Sequence, residues 1–456
     1  MNVQLPKSVI EILKKFQKNS FEIYIVGGAV RDILMGNDIY DWDFTTNATP
    51  EQILKLFPDA YYDNKFGTVG IRPDEEGTRP FEITTFRKEE GYSDTRHPDK
   101  IIWGKTIEED LARREATISA MALRFTKFTQ SKLTEMELFD PYHGQKDLEA
   151  KIFRAVGNPD ERYHEDALRM MRAIRISSQL GLTIEDKTFA GIKENATLIN
   201  KISRERIRDE LLKIIASPHP YDGVILLKSA CLLEQILPEL EKTFGVEQKS
   251  PGRHHIFDVG THSLMSLKFC PSKDPIVRFA TLMHDVGKAQ TYKKLENGTI
   301  TFYNHELVSA GIAKRVSDRL RFSAKQKEKF YKLVRYHQFT VDERQTDSAI
   351  RRFIRNVGIE YVNDILDLRI GDRLGGGASQ TSWRLEEFKK RLIEVQKQPF
   401  TVRDLKIDGN DIMKILRLRS GPKVGEILNR LFEKVVEKEI ENKRSALLEE
   451  IKKLSS

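Results

Sequence analysis

The run IVGGAVRDILMGNDIYDWDF, residues 25–44, constrains this chain more than any other stretch. It reads as an apolar strand, a turn with two glycines, a helix carrying Arg31 and Asp32, and a second strand with Asp41 and Asp43. Carboxylates one residue apart on a strand face the same way, because strand side chains repeat with period 2. Two like charges side by side repel, so the pair is best accounted for by a divalent cation between them. Gly27 and Gly28 leave backbone N–H groups bare, which suits polyphosphate oxygens. Arg31, near a helix start, gains nothing from the dipole and sits well beside an anion; an ion pair with Asp32 or Asp38 is the plain alternative. Together these features point to metal-assisted transfer of a nucleotidyl group. Glu82, in the alternating run FEITTF, could supply a third carboxylate from a neighbouring strand.

A chain of 456 residues holds two to four domains. The 39% hydrophobic content supplies packed cores, and the net charge of +8 favours polyanionic partners. Cys231 and Cys270 are too few for a disulfide framework and match no zinc spacing; both read as buried small side chains. No apolar run reaches membrane-spanning length, and the first twenty residues lack a signal-peptide core, so the expectation is a cytoplasmic protein.

Helices are expected at 7–18, 28–35 and 50–57, with strands at 22–26, 41–45, 66–71 and 80–86 and the turn PDEEGTRP between the last two. The polar segment 88–105 reads as a mobile loop, and apolar alternation returns at 117–125 and 133–139. From residue 159 helical periodicity dominates, with a hinge at 248–252 and a break, GGGASQTS, at 375–382. Gly409, Gly421 and Gly425 are expected to divide the tail into three helical pieces. The fold class is therefore α+β. A head at 1–151 precedes a helical neck at 152–246, a helical body at 247–380 and a helical tail at 381–456.

Two further constellations carry chemistry. In RYHEDALRMMRAIRIS, residues 162–177, Asp166 and Arg169 are expected on one helix face, with Arg172 and Arg175 continuing the spacing. An Asp acceptor beside an Arg fork can hydrogen-bond a base edge, and a salt-bridged surface helix is the ordinary alternative. His262, His284, Asp285, His305, His337 and Asp372 form an ordered set of ligand types for Zn, Mn, Fe or Ni, able to activate water on a phosphate ester; hydrogen-bonded core or surface histidines are the plain alternative.

The head motifs GGAVRD (27–32), DWDF (41–44), TTNATPE (45–51), FGTV (66–69), EITTFR (82–87), GYSDTRHPD (91–99) and EEDLARRE (108–115) resemble the class II tRNA nucleotidyltransferases. These are the CCA-adding enzymes and their poly(A) polymerase relatives. The resemblance implies a five-stranded head of the polymerase-beta type, with Asp41, Asp43 and Glu82 around catalytic Mg2+. It implies that Gly27, Gly28 and Arg31 grip the triphosphate, and that Asp110, Arg113 and Arg114 contact the nucleotide and its ribose. EDALR at 165–169 resembles the family's base-selecting motif, with Arg172 near the phosphates and Arg175 steadying the neck. ERIRDE, 205–210, resembles a segment with structural roles. The implied substrates are the 3' end of tRNA, held by its acceptor arm, together with CTP and ATP; no obligate protein partner is implied. Where the family has RRDFTINA this chain has RREATISA, so the geometry beneath the nucleotide is open. An A-adding enzyme, a poly(A) polymerase and a noncatalytic tRNA-binding module are the alternatives.

MHDVGKA (283–289) and NHELVSA (304–310) resemble the HD-family phosphohydrolases. That likeness implies the six-residue ligand set above, Lys288 near a phosphate, and phosphatase or 2',3'-cyclic phosphodiesterase activity. LKIDGNDIM (405–413) and GPKVGEIL (421–428) match tail segments of relatives that carry such a region.

Overall fold

The computed structural model describes residues 5–39, 41–63, 67–72, 80–91, 100–128, 133–248, 257–339, 341–342, 344–396, 402–437 and 439–453. Phe66, the turn residues 73–79, residues 92–99 of GYSDTRHPD and the hinge residues 249–252 lie outside them. The chain divides into two compact units: Met1–Glu241 with Arg319–Arg321, and Lys242–Asp318 with Phe322–Ser456. Among the described residues no helix is long and apolar enough to cross a membrane.

The first unit opens with α1 (Lys7–Lys18), whose Val9, Ile12, Leu13 and Phe16 recur at helical spacing and are buried. It continues through β1 (Ile23–Val26), α2 (Gly28–Met35), β2 (Asp43–Thr46), α3 (Pro50–Leu56), β3 (Tyr61–Asp63), β4 (Thr68–Ile71) and β5 (Phe81–Thr85). Next come β6 (Arg87–Glu90), β7 (Lys100–Trp103), α4 (Ile107–Ala112), β8 (Ala122–Phe128) and β9 (Leu133–Phe139). Seven of these strands form one sheet in the order β3-β4-β5-β2-β1-β8-β9. In β1, Ile23 and Ile25 pack into one core while Tyr24 and Val26 pack into another, so the sheet is buried on both faces. The start of α3 follows its sequence signal: Thr49 and Gln52 form a capping box with Pro50 in the first turn.

Several expectations are corrected. The sheet has seven strands rather than five. The extra edge strand β3 pairs with β4, and a Cβ at Gly70 would lie 2.2 Å from the Tyr61 ring, so only glycine admits that ring. The segment 88–105 is framed by paired strands, with Arg87 opposite Trp103 and Lys88 opposite Ile102. This ribbon is anchored: Gly67, at φ 68°, would put a Cβ 2.3 Å from the Trp103 ring, and Lys88 Nζ lies 2.7 Å from Glu109. Strand β2 begins at Asp43, leaving Asp41 just ahead of it, and β8 begins at Ala122 after a short 3-10 turn at Thr117–Ser119. Gly425 does not break the tail, because it lies inside the helix Pro422–Val436. Cys270 is buried as expected, but Cys231 is only half-buried.

In the second unit the helices Val259–Phe269 and Val362–Gly375 pack closely. A Cβ at Gly371 would sit 2.6 Å from the Ser266 carbonyl oxygen, and one at Gly375 2.5 Å from the Ser266 nitrogen. Glycines four apart thus let one helix backbone press on the other. The tail helices Gly409–Leu416, Pro422–Val436 and Arg444–Lys453 have their own core, centred on Ile412, Leu431, Leu447 and Ile451.

Candidate active sites in the head and the helical region

In the head, β2 and β5 run parallel and place Asp43 directly beside Glu82, while Val26 of β1 flanks Asp43 on the other side. Neighbouring strands lie about 4.8 Å apart, so the two carboxylates share a small volume. Trp42 is buried between Asp41 and Asp43, which turns both aspartates away from the core. Burial pushes the Asp43 carboxyl up to about 6, and Glu82 and Asp41 add to the rise against the opposing Arg114 and Arg172 guanidinium groups. Among the described residues, two groups of ligand types have donor atoms within 4.8 Å of one another, and both lie in the histidine cluster; the head carboxylates are spread more widely.

The phosphate-binding elements lie beside these acids. Gly27, at φ 69°, ends β1, and a Cβ there would come 3.1 Å from an Arg114 guanidinium nitrogen and 3.7 Å from Asp43 Oδ2. Glycine is therefore required at 27 both by backbone conformation and by the approach of Arg114. Arg31 donates to Asp32 at 3.0 Å, the plain alternative raised from sequence, and also lies near Gly28. Asp110 is fully buried on α4, with its carboxylate accepting from Arg113 at 2.8 Å and Arg114 at 3.0 Å. Burial alone would raise this carboxyl, but the two guanidinium groups hold it below the ordinary range. Asp110 thus orients Arg113 and Arg114.

The base-reading segment departs from expectation. A helix α5 covering Pro159–Glu165 ends at Asp166, whose backbone is extended, and a new helix α6 covers Leu168–Leu180. Asp166 and Arg169 therefore do not share a continuous helix face. The Asp166 carboxylate accepts from the Leu168 N–H at 3.0 Å, and this local bond accounts for the break. Asp166 pairs with Arg206 at 2.7 Å, Arg169 with Glu165 at 2.6 Å and Arg175 with Glu210 at 2.6 Å. Arg206 and Glu210 both come from ERIRDE, a segment read from sequence as structural.

Glu115, the acidic residue of the departed RREATISA motif, was missed as a participant. Its carboxylate meets Arg172 at 2.7 Å. Burial would raise it, but Arg172, with Arg169 and Arg175 beyond, holds it low; Arg172 is pushed up in return, chiefly by Glu115. The longer glutamate is the available signal, since it reaches an arginine already singled out. Glu115→Gln is expected to raise KM for the nucleotide about three- to tenfold through loss of a charged hydrogen bond. Stability should change by less than about 1 kcal/mol, because Arg172 keeps access to water. Steady-state kinetics and thermal melts test both, and an unchanged KM would remove Glu115 from the site.

Asp43 also sets a pH dependence. Its folded value of about 6 lies above the ordinary 3.8. Its contribution to stability is therefore full below about pH 4 and is lost as the pH rises through about 6. Without divalent cations, Asp43→Asn should melt close to the parent at pH 4 and above it at pH 7, by about 1–3 kcal/mol. A pH-independent gap would contradict this.

In the second unit the helix Val259–Phe269 carries His262, Pro275–Met283 runs into His284 and Asp285, and His305 opens His305–Arg319. His337 caps Ala324–Tyr336, and Asp372 lies on Val362–Gly375. All six sequence-predicted ligands converge. His262 Nε2 is 3.1 Å from Asp372, His284 Nε2 is 3.2 Å from Asp285 Oδ2, and His305 Nε2 is 3.2 Å from Asp285 Oδ1. His337 Nε2 lies 3.5 Å from the same Oδ1, so Asp285 joins the two groups His262–His284–Asp372 and Asp285–His305–His337. The imidazoles of His284, His305 and His337 use Nδ1 on main-chain carbonyls, of Thr281 at 2.7 Å, Phe302 at 2.9 Å and Val334 at 2.7 Å. Each Nδ1–H that donates there leaves Nε2 aimed at the cluster, the arrangement that metal-binding histidines adopt. Burial opposes charge on Asp285, but His284 and Lys288 hold its carboxyl well below the usual range. Burial likewise disfavours the His284 imidazolium, yet Asp285 and Asp372 raise it to about 10. Lys288 Nζ lies 2.6 Å from Asp285, and a cavity of about 440 Å³ opens over the cluster.

A mixed sheet that sets acidic residues beside a glycine turn defines the head as that of a nucleotidyltransferase. Residues 23–154 match the family described as "Poly A polymerase head domain". Residues 181–244 match the "RNA and SrmB- binding site of polymerase A", and 307–451 match "tRNA nucleotidyltransferase domain 2". The chain is 34% identical over 454 residues to the CCA-adding enzyme of Ligilactobacillus salivarius, covering 98% of this chain and 96% of that one. It is 30% identical over 458 residues to that of Lactococcus lactis subsp. cremoris, covering 99% and 98%. The fold is similar to the Bacillus stearothermophilus CCA-adding enzyme in complex with CTP, with a TM-score of 0.71 at 23% identity over 98% of this chain and 97% of that one. It is also similar to the Thermotoga maritima CCA-adding enzyme complexed with tRNA, at TM-score 0.59 and 18% identity over 99% and 97%. This chain belongs to the CCA-adding enzyme family.

Proposed function

We propose that the chain adds C and A nucleotides from CTP and ATP to the 3' end of tRNA without a nucleic-acid template. The observation that carries this reading is Asp43 beside Glu82 across β2 and β5, with Gly27 and Arg114 alongside. Three hard carboxylates, with Asp43 raised by burial and further by Glu82 and Asp41, fit Mg2+, which Asp41 and Asp43 would hold with Glu82 completing the set. When bound, the ion supplies charge neutralisation for the attacking oxygen and the leaving pyrophosphate. The terminal ribose oxygen bonds to the α-phosphorus, its proton goes to solvent, and the bond from that phosphorus to the bridging oxygen breaks.

The chain's own groups position this exchange. The N–H groups at Gly27 and Gly28, with Arg31 released from Asp32, hold the triphosphate. Asp110 fixes Arg113 and Arg114 against the nucleotide, and Glu115 fixes Arg172 near the phosphates. Asp166 and Arg169 read the base edge, braced by Arg206 and Glu165, and Arg175 anchors the neck through Glu210. Residues 1–151 serve as the catalytic head, 152–246 as the nucleotide-reading neck, 247–380 as the HD-type region and 381–456 as the tRNA-gripping tail, in a cytoplasmic protein.

The test is primer extension with CTP alone, ATP alone and both, on tRNA lacking CCA, tRNA lacking the final A, and generic RNA. Incorporation of C and then A on the first substrate is the expected result. Addition of A only, long A tails on generic RNA, or stable tRNA binding without pyrophosphate release would each overturn it.

The convergence of His262, His284, Asp285, His305, His337 and Asp372 favours a second activity, hydrolysis of phosphate esters. Nitrogen and oxygen donors with oriented imidazoles fit a transition metal such as Zn, Mn, Fe or Ni. When bound, the metal would supply an activated water for attack on phosphorus. Lys288 would take one phosphate oxygen.

A further inference from the structure

We propose that the histidine–aspartate cavity takes the terminal phosphate of a single-stranded RNA, with the adjoining nucleotides lying along a second cavity beside it; this rests on the hydrolase reading above. The 440 Å³ cavity over the cluster is lined by Tyr303, Gln338 and Arg369 among others. Gln338 also lines a neighbouring cavity of about 230 Å³, together with Arg335, Tyr336 and Arg352. One exposed side chain therefore borders both spaces, so the second cavity adjoins the one over the ligand cluster.

The lining has the chemistry of a single-strand groove. A positive track follows phosphates, and aromatic faces stack on bases of any sequence. At the cluster end, Arg369 lies 3.2 Å from Asp372, and Tyr303 stands 77% exposed at the mouth. Along the second cavity, the Arg335 guanidinium lies over the Tyr336 ring at 5.2 Å, and that of Arg369 lies over Phe339 at 5.5 Å. Arg352 is exposed and has no carboxylate partner among the described residues. Outside the ligand cluster, Glu306 opposes this charge at the rim among the described residues, at 3.9 Å from Arg335. A free mononucleotide would fill only the first cavity. Arg335 and Arg352 lie in the second, where the next phosphates of a strand would run.

In the reaction, a water oxygen bonds to the terminal phosphorus and the phosphorus–oxygen bond to ribose breaks. The ribose oxygen takes a proton from that water, and inorganic phosphate leaves. The test uses the full chain loaded with Mn2+, with 3'-phosphorylated and 5'-phosphorylated pentanucleotides and adenosine 3'-monophosphate as substrates. At least one pentanucleotide should show a kcat/KM about tenfold above the mononucleotide, the contribution of roughly one stacked base. Arg352→Glu should erase most of that preference while leaving the mononucleotide rate within about twofold, because Arg352 lines the second cavity and not the one over the cluster. Equal rates on all three substrates, or an Arg352→Glu loss that falls alike on all, would overturn the proposal.

If none is hydrolysed, the hydrolase reading fails, and crosslinking of a 4-thiouridine pentanucleotide bearing a terminal phosphate decides the groove separately. Crosslinks to peptides containing Tyr303 or Tyr336 that vanish in Arg352→Glu support it. Crosslinks confined to other segments overturn it.

Discussion

Replacing Asp43 with Ala is expected to cut nucleotide addition by about 10³-fold or more while leaving the protein folded. A thousandfold loss corresponds to about 4 kcal/mol of transition-state stabilisation, the size of effect seen when one preorganised electrostatic contact is removed. The fold should survive because Asp43 is held near 6 by burial and by Glu82 and Asp41, so its charge is a strain on the native state at neutral pH. Asp43→Ala should therefore melt no lower than the parent in the absence of divalent cations, and it should lose the stabilisation that added Mg2+ gives the parent. Extension of tRNA lacking CCA measures the first effect, and melts with and without Mg2+ measure the second. Extension within tenfold of the parent would sink the proposed chemistry of the head.

The second large effect belongs to Asp285→Ala. Asp285 offers one oxygen to His262, His284 and Lys288 and the other to His305 and His337, so its loss strikes both ligand groups. Transition-metal content and hydrolysis of p-nitrophenyl phosphate should both fall by about 10²-fold or more, since even partners that merely orient ligands are worth 10–100-fold. Nucleotide addition by the same preparation should stay within about twofold, which also shows that the variant is folded. Hydrolysis that persists in Asp285→Ala but disappears in Asp43→Ala would assign it to the head instead.

The sequence was most legible where local rules decide structure. The helix at 7–18, the capped helix at 50–57 and the strand carrying Asp43 follow from periodicity and capping chemistry. All six candidate histidine and aspartate ligands come together, although they are spread over 111 residues of chain numbering, from 262 to 372. The errors arose where side chains compete with the backbone or where pairing is tertiary. Asp166 looks like part of a helix, but its carboxylate takes the N–H of Leu168 and splits the helix in two. The strands on either side of 91–99 are polar and short, and what fixes them is a tryptophan ring resting on a glycine far back in the sequence. The Glu115–Arg172 pair joins residues 57 apart and carries no local signature.

The contact of Gly371 and Gly375 with Ser266 would make the proposed second centre separable by inheritance. One added methyl group at either glycine would wedge two helices apart and pull Asp372 from His262, without altering any ligand. A lineage could thus retire the proposed hydrolase while its histidines and aspartates still spell an intact motif. Reading these two small residues in any relative is then a better guide to whether that centre still works than counting its ligands.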